Sequence, residues 1–161
     1  MRRKISSIAI AVLVTANACA SAGGGAAASP ASRPMAMIPF ASTLDVDLAR
    51  MTKTPAGVYY RDLEVGTGPV IRGREDVLVH YTGWLTNGVK FDSNTGDDRP
   101  LTVPLGRGRA IKGWDDGLTG MRVGGRRQLV IPPELGYGSN RAGVIPPDAV
   151  LVFDIRVVSV K

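Results

Sequence analysis

The sequence predicts an α+β domain in which an antiparallel sheet of five or six strands curls over a single short helix. Two observations carry this prediction. Segments of alternating apolar and polar residues, the pattern of half-buried strands, recur from residue 58 to the C-terminus. One segment differs, because Ile111, Trp114 and Leu118 have the i, i+3, i+7 spacing that places three side chains on one helix face.

Residues 1–18 have the pattern of an export signal peptide. Three cations at residues 2–4 precede an apolar run over residues 5–16, and residues 16–18 read small-x-small before a cleavage point. The apolar run is shorter than the roughly 20 residues that span a bilayer, which favours a cleaved signal over a transmembrane helix. Without the signal cations the formal net charge falls from +6 to +3, so no nucleic-acid partner is predicted.

Cys19 is the only cysteine and directly follows the predicted signal. A single thiol cannot form an internal disulfide, so its position fits chemistry at the cleavage site better. Residues 13–19 resemble a bacterial lipobox, in which the cysteine is acylated, although Ala16 and Asn17 depart from the usual residues. Two outcomes stay open: membrane attachment through a lipidated Cys19, or simple cleavage to a soluble form. Both place the protein in the bacterial cell envelope, as a periplasmic protein or an outer-membrane lipoprotein.

Residues 19–50 are predicted to form a flexible tether, because Ala, Gly, Ser and Pro dominate its first part and cannot bury a core. The apolar residues between positions 35 and 40 fit either a disordered patch or an arm against the domain, and we expect disorder. A short helix over residues 43–52 would place Leu44, Leu48 and Met51 on one face.

The folded domain is predicted to span residues 51–161. A turn signal at Asn87-Gly88 joins two of its strands as a hairpin, and residues 135–147 form a long loop. The predicted strands are residues 58–65, 77–85, 89–92, 101–106, 126–131 and 151–158.

The usual catalytic constellations are missing from the sequence. His80 is the sole histidine, which excludes a multi-histidine metal site and argues against a Ser/His or Cys/His pair. The glycine-rich pieces lack the spacing of a phosphate cradle, so neither a metal nor a cofactor is predicted. What remains is an aromatic and aliphatic set with one nearby carboxylate, Asp92: Tyr81, Phe91, Trp114, Tyr137, Val144, Ile145 and Phe153.

This set is either hydrophobic core or the wall of a binding pocket. Tyr137, Val144 and Ile145 lie in the long loop, where apolar side chains seldom join the core, and Asp92 puts a charge beside Phe91. A concave apolar pocket with a few polar groups is a binding site by default. A pocket is therefore the preferred interpretation.

Several ordered strings resemble FKBP-type peptidyl-prolyl cis-trans isomerases. The resemblance covers residues 57–161 and implies five or six antiparallel strands wrapped around one short helix. It also implies isomerase activity on X-Pro bonds, proline-containing polypeptides as clients, and macrolides of the rapamycin and tacrolimus type as ligands. With the predicted export signal, the clients would be exported or envelope proteins. The strings are VHYTGWL at 79–85, GVKFDS at 88–93, IKGW at 111–114, GYG at 136–138, VIPP at 144–147 and LVFD at 151–154.

The resemblance further implies roles for individual side chains. Trp114 would form the pocket floor, while the Ile111 N–H and the Tyr137 hydroxyl would bind substrate carbonyls. Asp92 would anchor Tyr81 or a loop arginine. The catalytic set would be Tyr81, Phe91, Asp92, Trp114, Tyr137 and Phe153, and the substrate-binding set Leu101, Ala110, Ile111, Val144 and Ile145. The alternative is a binding module that uses the same pocket to hold unfolded or proline-containing segments without catalysis.

Overall fold

The computed structural model describes residues 34–96 and 99–161, so the predicted signal peptide, Cys19 and the first part of the tether lie outside the described residues. Within them, seven strands form one sheet and a single α-helix, α1, precedes β6. No helix of this part is long and apolar enough to cross a membrane. The elements are β1 (Thr52–Lys53), β2 (Tyr59–Glu64), β3 (Asp76–Leu85), β4 (Lys90–Ser93), β5 (Leu101–Pro104), α1 (Lys112–Leu118), β6 (Arg126–Ile131) and β7 (Leu151–Val160), with 3₁₀ turns at Met35–Met37, Ser42–Leu44, Leu48–Arg50 and Pro133–Leu135.

The strand order is β1-β2-β6-β7-β3-β4, and each of these strands pairs antiparallel with its neighbours. The two longest strands, β3 and β7, are ten residues long and pair along most of their length. The other edge of β3 is divided, because residues 82–84 pair with β4 and residues 76–79 pair with β5. The predicted antiparallel sheet with one short helix is confirmed, and β1 is a two-residue addition to the predicted strands.

The helix α1 packs on one face of this sheet through its apolar side and its glycines. Trp114 and Leu118 are buried in the main core. A Cβ on Gly113 would overlap the Ile131 side chain of β6, and one on Gly117 would lie 2.8 Å from Leu129 Cδ1. Because residues four apart share a helix face, the two glycines let the helix backbone approach β6 closely. Packing therefore stabilises a helix whose glycines give it poor intrinsic propensity.

The segment before the domain covers the opposite face of the sheet. Val130 and Val152 alternate with main-core residues along β6 and β7, so they point away from α1, and Leu44 and Met51 pack against them. Gln128 Nε2 also donates a hydrogen bond of 2.7 Å to the Leu44 carbonyl. We name residues 35–51 the N-terminal arm.

The arm corrects the tether that was predicted for residues 19–50, over the part that the structure describes. Its apolar side chains cover a sheet face that would otherwise expose valines to water, so the arm is packed rather than free. The short helix expected over residues 43–52 is also replaced by two 3₁₀ turns. Between them Asp45 has a positive φ of 47°, a left-handed conformation that interrupts a right-handed helix.

Candidate active site

An open cavity of about 770 Å³ lies among α1, β3, β4, β5, β7 and the segment that follows β6. This volume is in the range of pockets that bind small molecules, about 300 to 1,000 Å³. The residues from the sequence prediction that line it are Tyr81, Phe91, Asp92, Leu101, Ala110, Ile111, Trp114, Tyr137 and Phe153. Nine of the eleven predicted pocket residues, drawn from distant parts of the chain, therefore surround one space.

Four aromatic rings form the base and one side of the cavity. The Trp114 ring meets Tyr81 at 5.1 Å and Phe153 at 5.3 Å between ring centroids, both edge to face. Phe91 meets Phe153 in the same way at 5.5 Å. Aromatic pairs prefer this geometry because the positive edge of one ring faces the negative face of the next. Trp114 is 7% exposed, so it presents little more than one ring surface to the cavity.

Gly83 of β3 makes room for this arrangement, and the sequence reasoning did not single it out. A Cβ at this position would lie 2.6 Å from Phe91 Cζ and 2.8 Å from Phe153 Cε1, closer than carbon atoms pack. The two phenylalanine rings therefore occupy the space that any other side chain would fill. The sequence does contain one sign of this packing, because a glycine inside a strand often marks a place where other atoms approach the backbone closely.

Asp92 anchors Tyr81, one of the two partners that the resemblance implied for it. The Tyr81 hydroxyl donates a hydrogen bond of 2.6 Å to Asp92 Oδ2, and the Ser93 N–H donates one of 2.9 Å to Oδ1. Asn94 holds the backbone beside this pair, since its Oδ1 accepts from Tyr81 N–H at 2.7 Å and its Nδ2 donates to the Val79 carbonyl at 3.1 Å. The Tyr81 ring is thus fixed at its hydroxyl and at its backbone.

Ile111 and Tyr137 each bring an available donor to the cavity. Ile111 is the N-cap residue of α1 in an extended conformation. In the described part of the chain neither its N–H nor the Tyr137 hydroxyl has a hydrogen-bond partner. Tyr137 is 40% exposed, so its hydroxyl is accessible from solvent. These two donors can receive the carbonyl groups of a bound peptide.

Val144 and Ile145 lie outside the cavity lining, unlike the other predicted pocket residues. Ile145 is buried in the main core, and Val144 is largely exposed to solvent. Two backbone hydrogen bonds between Ala142 and Ile145, of 2.9 and 3.1 Å, close a tight turn that separates the two side chains. In this conformation Ile145 anchors the long loop and Val144 points away from the domain, so their predicted contact with substrate stays a prediction.

The indole N–H of Trp114 is buried without a hydrogen-bond partner in the part of the chain described here. A buried donor without an acceptor costs about 1 to 3 kcal/mol. The ring nevertheless occupies this place because its apolar surface packs against the core. The nitrogen is shielded from solvent, so the face of the ring, rather than its donor, is what the cavity presents.

The cavity also contains residues that the sequence reasoning did not select. Arg109 and Lys112 flank Ile111 in sequence and add positive charge, and Glu134 adds a carboxylate near Tyr137 in the chain. The sequence reasoning selected aromatic and aliphatic residues, so it passed over these charged side chains. Their one sequence signal is that they lie next to predicted residues in the chain. The others are Thr102, Val103, Pro104, Gly108, Gly136 and Gly138. Among the described residues no group of three His, Cys, Asp or Glu side chains could hold a metal ion.

Comparisons with known proteins give the family. A family model described as FKBP-type peptidyl-prolyl cis-trans isomerase matches residues 68–158. The FK506-binding protein of Neisseria meningitidis serogroup B is 51% identical over 106 residues, which are 65% of this chain and 96% of that protein.

Solved structures agree with this similarity. FkpA from Escherichia coli superposes with a TM-score of 0.64 at 37% identity, over 69% of this chain and 51% of that chain. AtFKBP13 superposes with a TM-score of 0.61 at 41% identity, over 68% of this chain and 98% of that chain. The chain belongs to the FKBP-type peptidyl-prolyl cis-trans isomerases. The predicted family, its fold and the enzyme class are confirmed.

Proposed function

We propose that the cavity accelerates rotation about X-Pro bonds in exported or envelope proteins and thereby assists their folding. The observation that carries the proposal is the aromatic base of the cavity, in which Trp114 lies among Tyr81 and Phe153. We infer that the clients are exported or envelope proteins because residues 1–18 have the pattern of an export signal.

The chemistry needs no nucleophile. Rotation about an X-Pro bond faces a barrier of about 18 to 20 kcal/mol, because the twisted amide loses its resonance. The twisted amide is less charge-separated than the planar one. An apolar cavity therefore disfavours the planar ground state relative to the twisted transition state, and this difference lowers the barrier.

Orientation of the client chain is the second contribution. The proline ring lies on Trp114, while the Ile111 N–H and the Tyr137 hydroxyl hold carbonyl groups on the flanking chain. Fixing these groups leaves the twist about the X-Pro bond as the remaining motion. Asp92 acts through Tyr81, whose ring it orients against the bound proline.

A protease-free assay of cis-trans isomerisation in the peptide Ala-Leu-Pro-Phe tests the proposal. We expect the wild-type protein to accelerate isomerisation and the Asp92→Ala and Tyr137→Ala variants to be slower. Tyr59→Phe is a matched control, since Tyr59 also carries a phenol but lies beneath the N-terminal arm. Isomerisation no faster than in buffer would reject an active isomerase, and peptide binding without acceleration would favour the binding-module alternative.

We also propose that macrolides of the FK506 class occupy the same cavity. The similar Neisseria proteins are named FK506-binding proteins, and the apolar base described above suits a large apolar ligand. FK506 should inhibit isomerisation in competition with the peptide. Undiminished activity at saturating FK506 would contradict a shared site.

The envelope location and the state of Cys19 are tested separately. We propose that the chain is exported and that Cys19 becomes the acylated N-terminus. Mass spectrometry of the mature protein distinguishes this form from simple cleavage, because acyl chains add a large mass to the N-terminal residue. The Cys19→Ala variant should lose the added mass, and a wild-type N-terminus without acyl chains would reject lipidation.

A further inference from the structure

We propose that Arg109 and Lys112 make this isomerase select clients with an acidic side chain next to the isomerised proline. The inference rests on the proposed function and names the substrate class for the same cavity. The reason is that Arg109 and Lys112 lie at the cavity rim and form no ion pair with another described residue, so a ligand can pair with them.

The two cations flank the backbone donor that receives the client. Arg109 and Lys112 both line the cavity, both are exposed, and Ile111 lies between them in the chain. A peptide whose carbonyl is held at the Ile111 N–H therefore has its neighbouring side chains within reach of the two long basic side chains. This local arrangement makes the cations part of the rim and not a remote surface charge.

Neither cation is neutralised by a carboxylate of the described part of the chain. Arg107, only two residues before Arg109, does have a partner, since its Nη1 lies 3.3 Å from Asp76 Oδ1. No such ion pair exists there for Arg109 or Lys112. Of these three cations, only Arg107 forms an ion pair with another described residue.

The carboxylates nearest in sequence on the helix are also engaged elsewhere. Asp115 Oδ1 accepts a hydrogen bond of 2.9 Å from the Gly106 N–H, and Asp116 Oδ2 accepts one from the Thr54 hydroxyl. Both carboxylates therefore bond to the turn before α1 or to the segment before β2. They tie the middle of the helix to these segments, and among the described residues neither forms an ion pair with Arg109 or Lys112.

The negative groups of the cavity come from other segments. Asp92 accepts hydrogen bonds from Tyr81 and Ser93, and Glu134 lies in the 3₁₀ turn before Tyr137. The rim is therefore electrically uneven, with cations around Ile111 and a carboxylate on the segment of Tyr137. An acidic flanking residue is attracted at the first segment, whereas a basic one is repelled there.

The expected preference is modest because both cations are exposed. Exposed ion pairs contribute little, and a preference of about twofold to fivefold in kcat/KM for a glutamate over a lysine peptide is the scale to expect. Screening by salt must weaken it, since the Debye length falls from about 30 Å at 0.01 M to about 3 Å at 1 M ionic strength. A preference that arises from side-chain size or shape would not depend on salt in this way.

Two peptide series test the inference. In one, Glu, Gln, Leu or Lys replaces the residue before proline in Ala-Leu-Pro-Phe, and in the other the same residues replace the one after it. We expect kcat/KM to rise from Lys to Glu in at least one series at low salt and the difference to shrink at high salt. Arg109→Glu and Lys112→Glu should each reduce or reverse the difference, while Arg109→Gln should halve it.

Arg50→Glu is the matched control. It makes the same change in net charge at an exposed position of the N-terminal arm, outside the cavity lining, and should leave the preference unchanged. Circular dichroism of each variant checks that it remains folded. Equal kcat/KM for the Glu and Lys peptides in both series, with the Leu peptide still accelerated, overturns the inference alone. Failure to accelerate any peptide overturns the proposed function as well.

Discussion

Trp114 and Tyr137 line the same cavity but have different degrees of burial, and this difference separates their roles. Trp114 is 7% exposed and packs in the main core, whereas Tyr137 is 40% exposed on the segment after β6. A buried ring contributes to folding through the surface it removes from water. An accessible phenol contributes mainly through what binds to it.

The first prediction compares the alanine variants of these two residues. Trp114→Ala should lower the free energy of unfolding by about 3 to 5 kcal/mol and weaken peptide binding, because it leaves a large cavity in the core. Tyr137→Ala should lower kcat/KM with a smaller loss of stability. Urea denaturation and the peptide assay measure the two effects. An equal loss of stability in both variants would contradict the separation.

A second prediction concerns the space above Gly83. Gly83→Ala should displace the Phe91 and Phe153 rings, since its Cβ would lie 2.6 and 2.8 Å from their atoms. Overpacking of this kind costs about 1 to 3 kcal/mol, and the deformed wall should also lower kcat/KM. Gly96→Ala is the control, because a Cβ there meets no atom within 4 Å. Wild-type stability and activity in Gly83→Ala would show that the rings are not confined.

At the level of elements, the N-terminal arm and α1 cover opposite faces of one sheet. α1 covers the face that carries Leu129 and Ile131, and the arm covers the face that carries Val130 and Val152. The arm also reaches the long loop, since Ile38 lines a small cavity of about 130 Å³ together with Pro146, Ala149 and Val150. The arm therefore contacts both the sheet and the C-terminal end of the long loop.

The third prediction tests whether the arm contributes to stability. Leu44→Ala should lower the free energy of unfolding by about 2 to 5 kcal/mol, because Leu44 is only 7% exposed against the sheet. Met37→Ala on the same arm should change it by less than about 0.5 kcal/mol, since Met37 is 73% exposed. Thermal or urea denaturation measures both. Equal stability of the two variants would indicate that the arm does not pack in solution.

For the whole molecule, Arg127 connects the sheet to the helix. Its Nε and Nη2 donate hydrogen bonds of 2.6 and 3.0 Å to Asp62 of β2, and its Nη1 donates one of 2.8 Å to the Gly117 carbonyl of α1. The guanidinium also lies 4.3 Å from the centre of the Tyr60 ring. One side chain of β6 thus bonds to a neighbouring strand and to the helix packed on them.

The fourth prediction uses two arginines of the sheet. Arg127→Met should cost about 3 kcal/mol, because it leaves the Asp62 carboxylate and the Gly117 carbonyl without their partner. Arg156→Met should cost less than about 1 kcal/mol, since the side chains of its pair with Glu64 are 53% and 49% exposed. Urea denaturation measures the difference, and a similar cost for both variants would show that burial does not strengthen the Arg127 pair.

The sequence alone determined the fold class, the positions of the helix and of six of the seven described strands, and half of the residues that line the cavity. These features follow from local patterns: alternation predicts a strand, the spacing of Ile111, Trp114 and Leu118 predicts a helix face, and the ordered strings predict the family. Tyr81 and Phe91, which belong to these strings, line the cavity.

Only the tertiary structure decided which side chains meet across the sheet and which charges are already paired. Ile145 packs in the main core beside the turn that it closes with Ala142, and no local pattern shows that packing. The arm looked like a tether because nothing local marks the sheet face that it covers. Three cations lie close together in the chain, and only the structure shows that Arg107 is paired with Asp76 whereas Arg109 and Lys112 pair with no described carboxylate. Each of these facts depends on segments distant in the chain, which a local pattern cannot record.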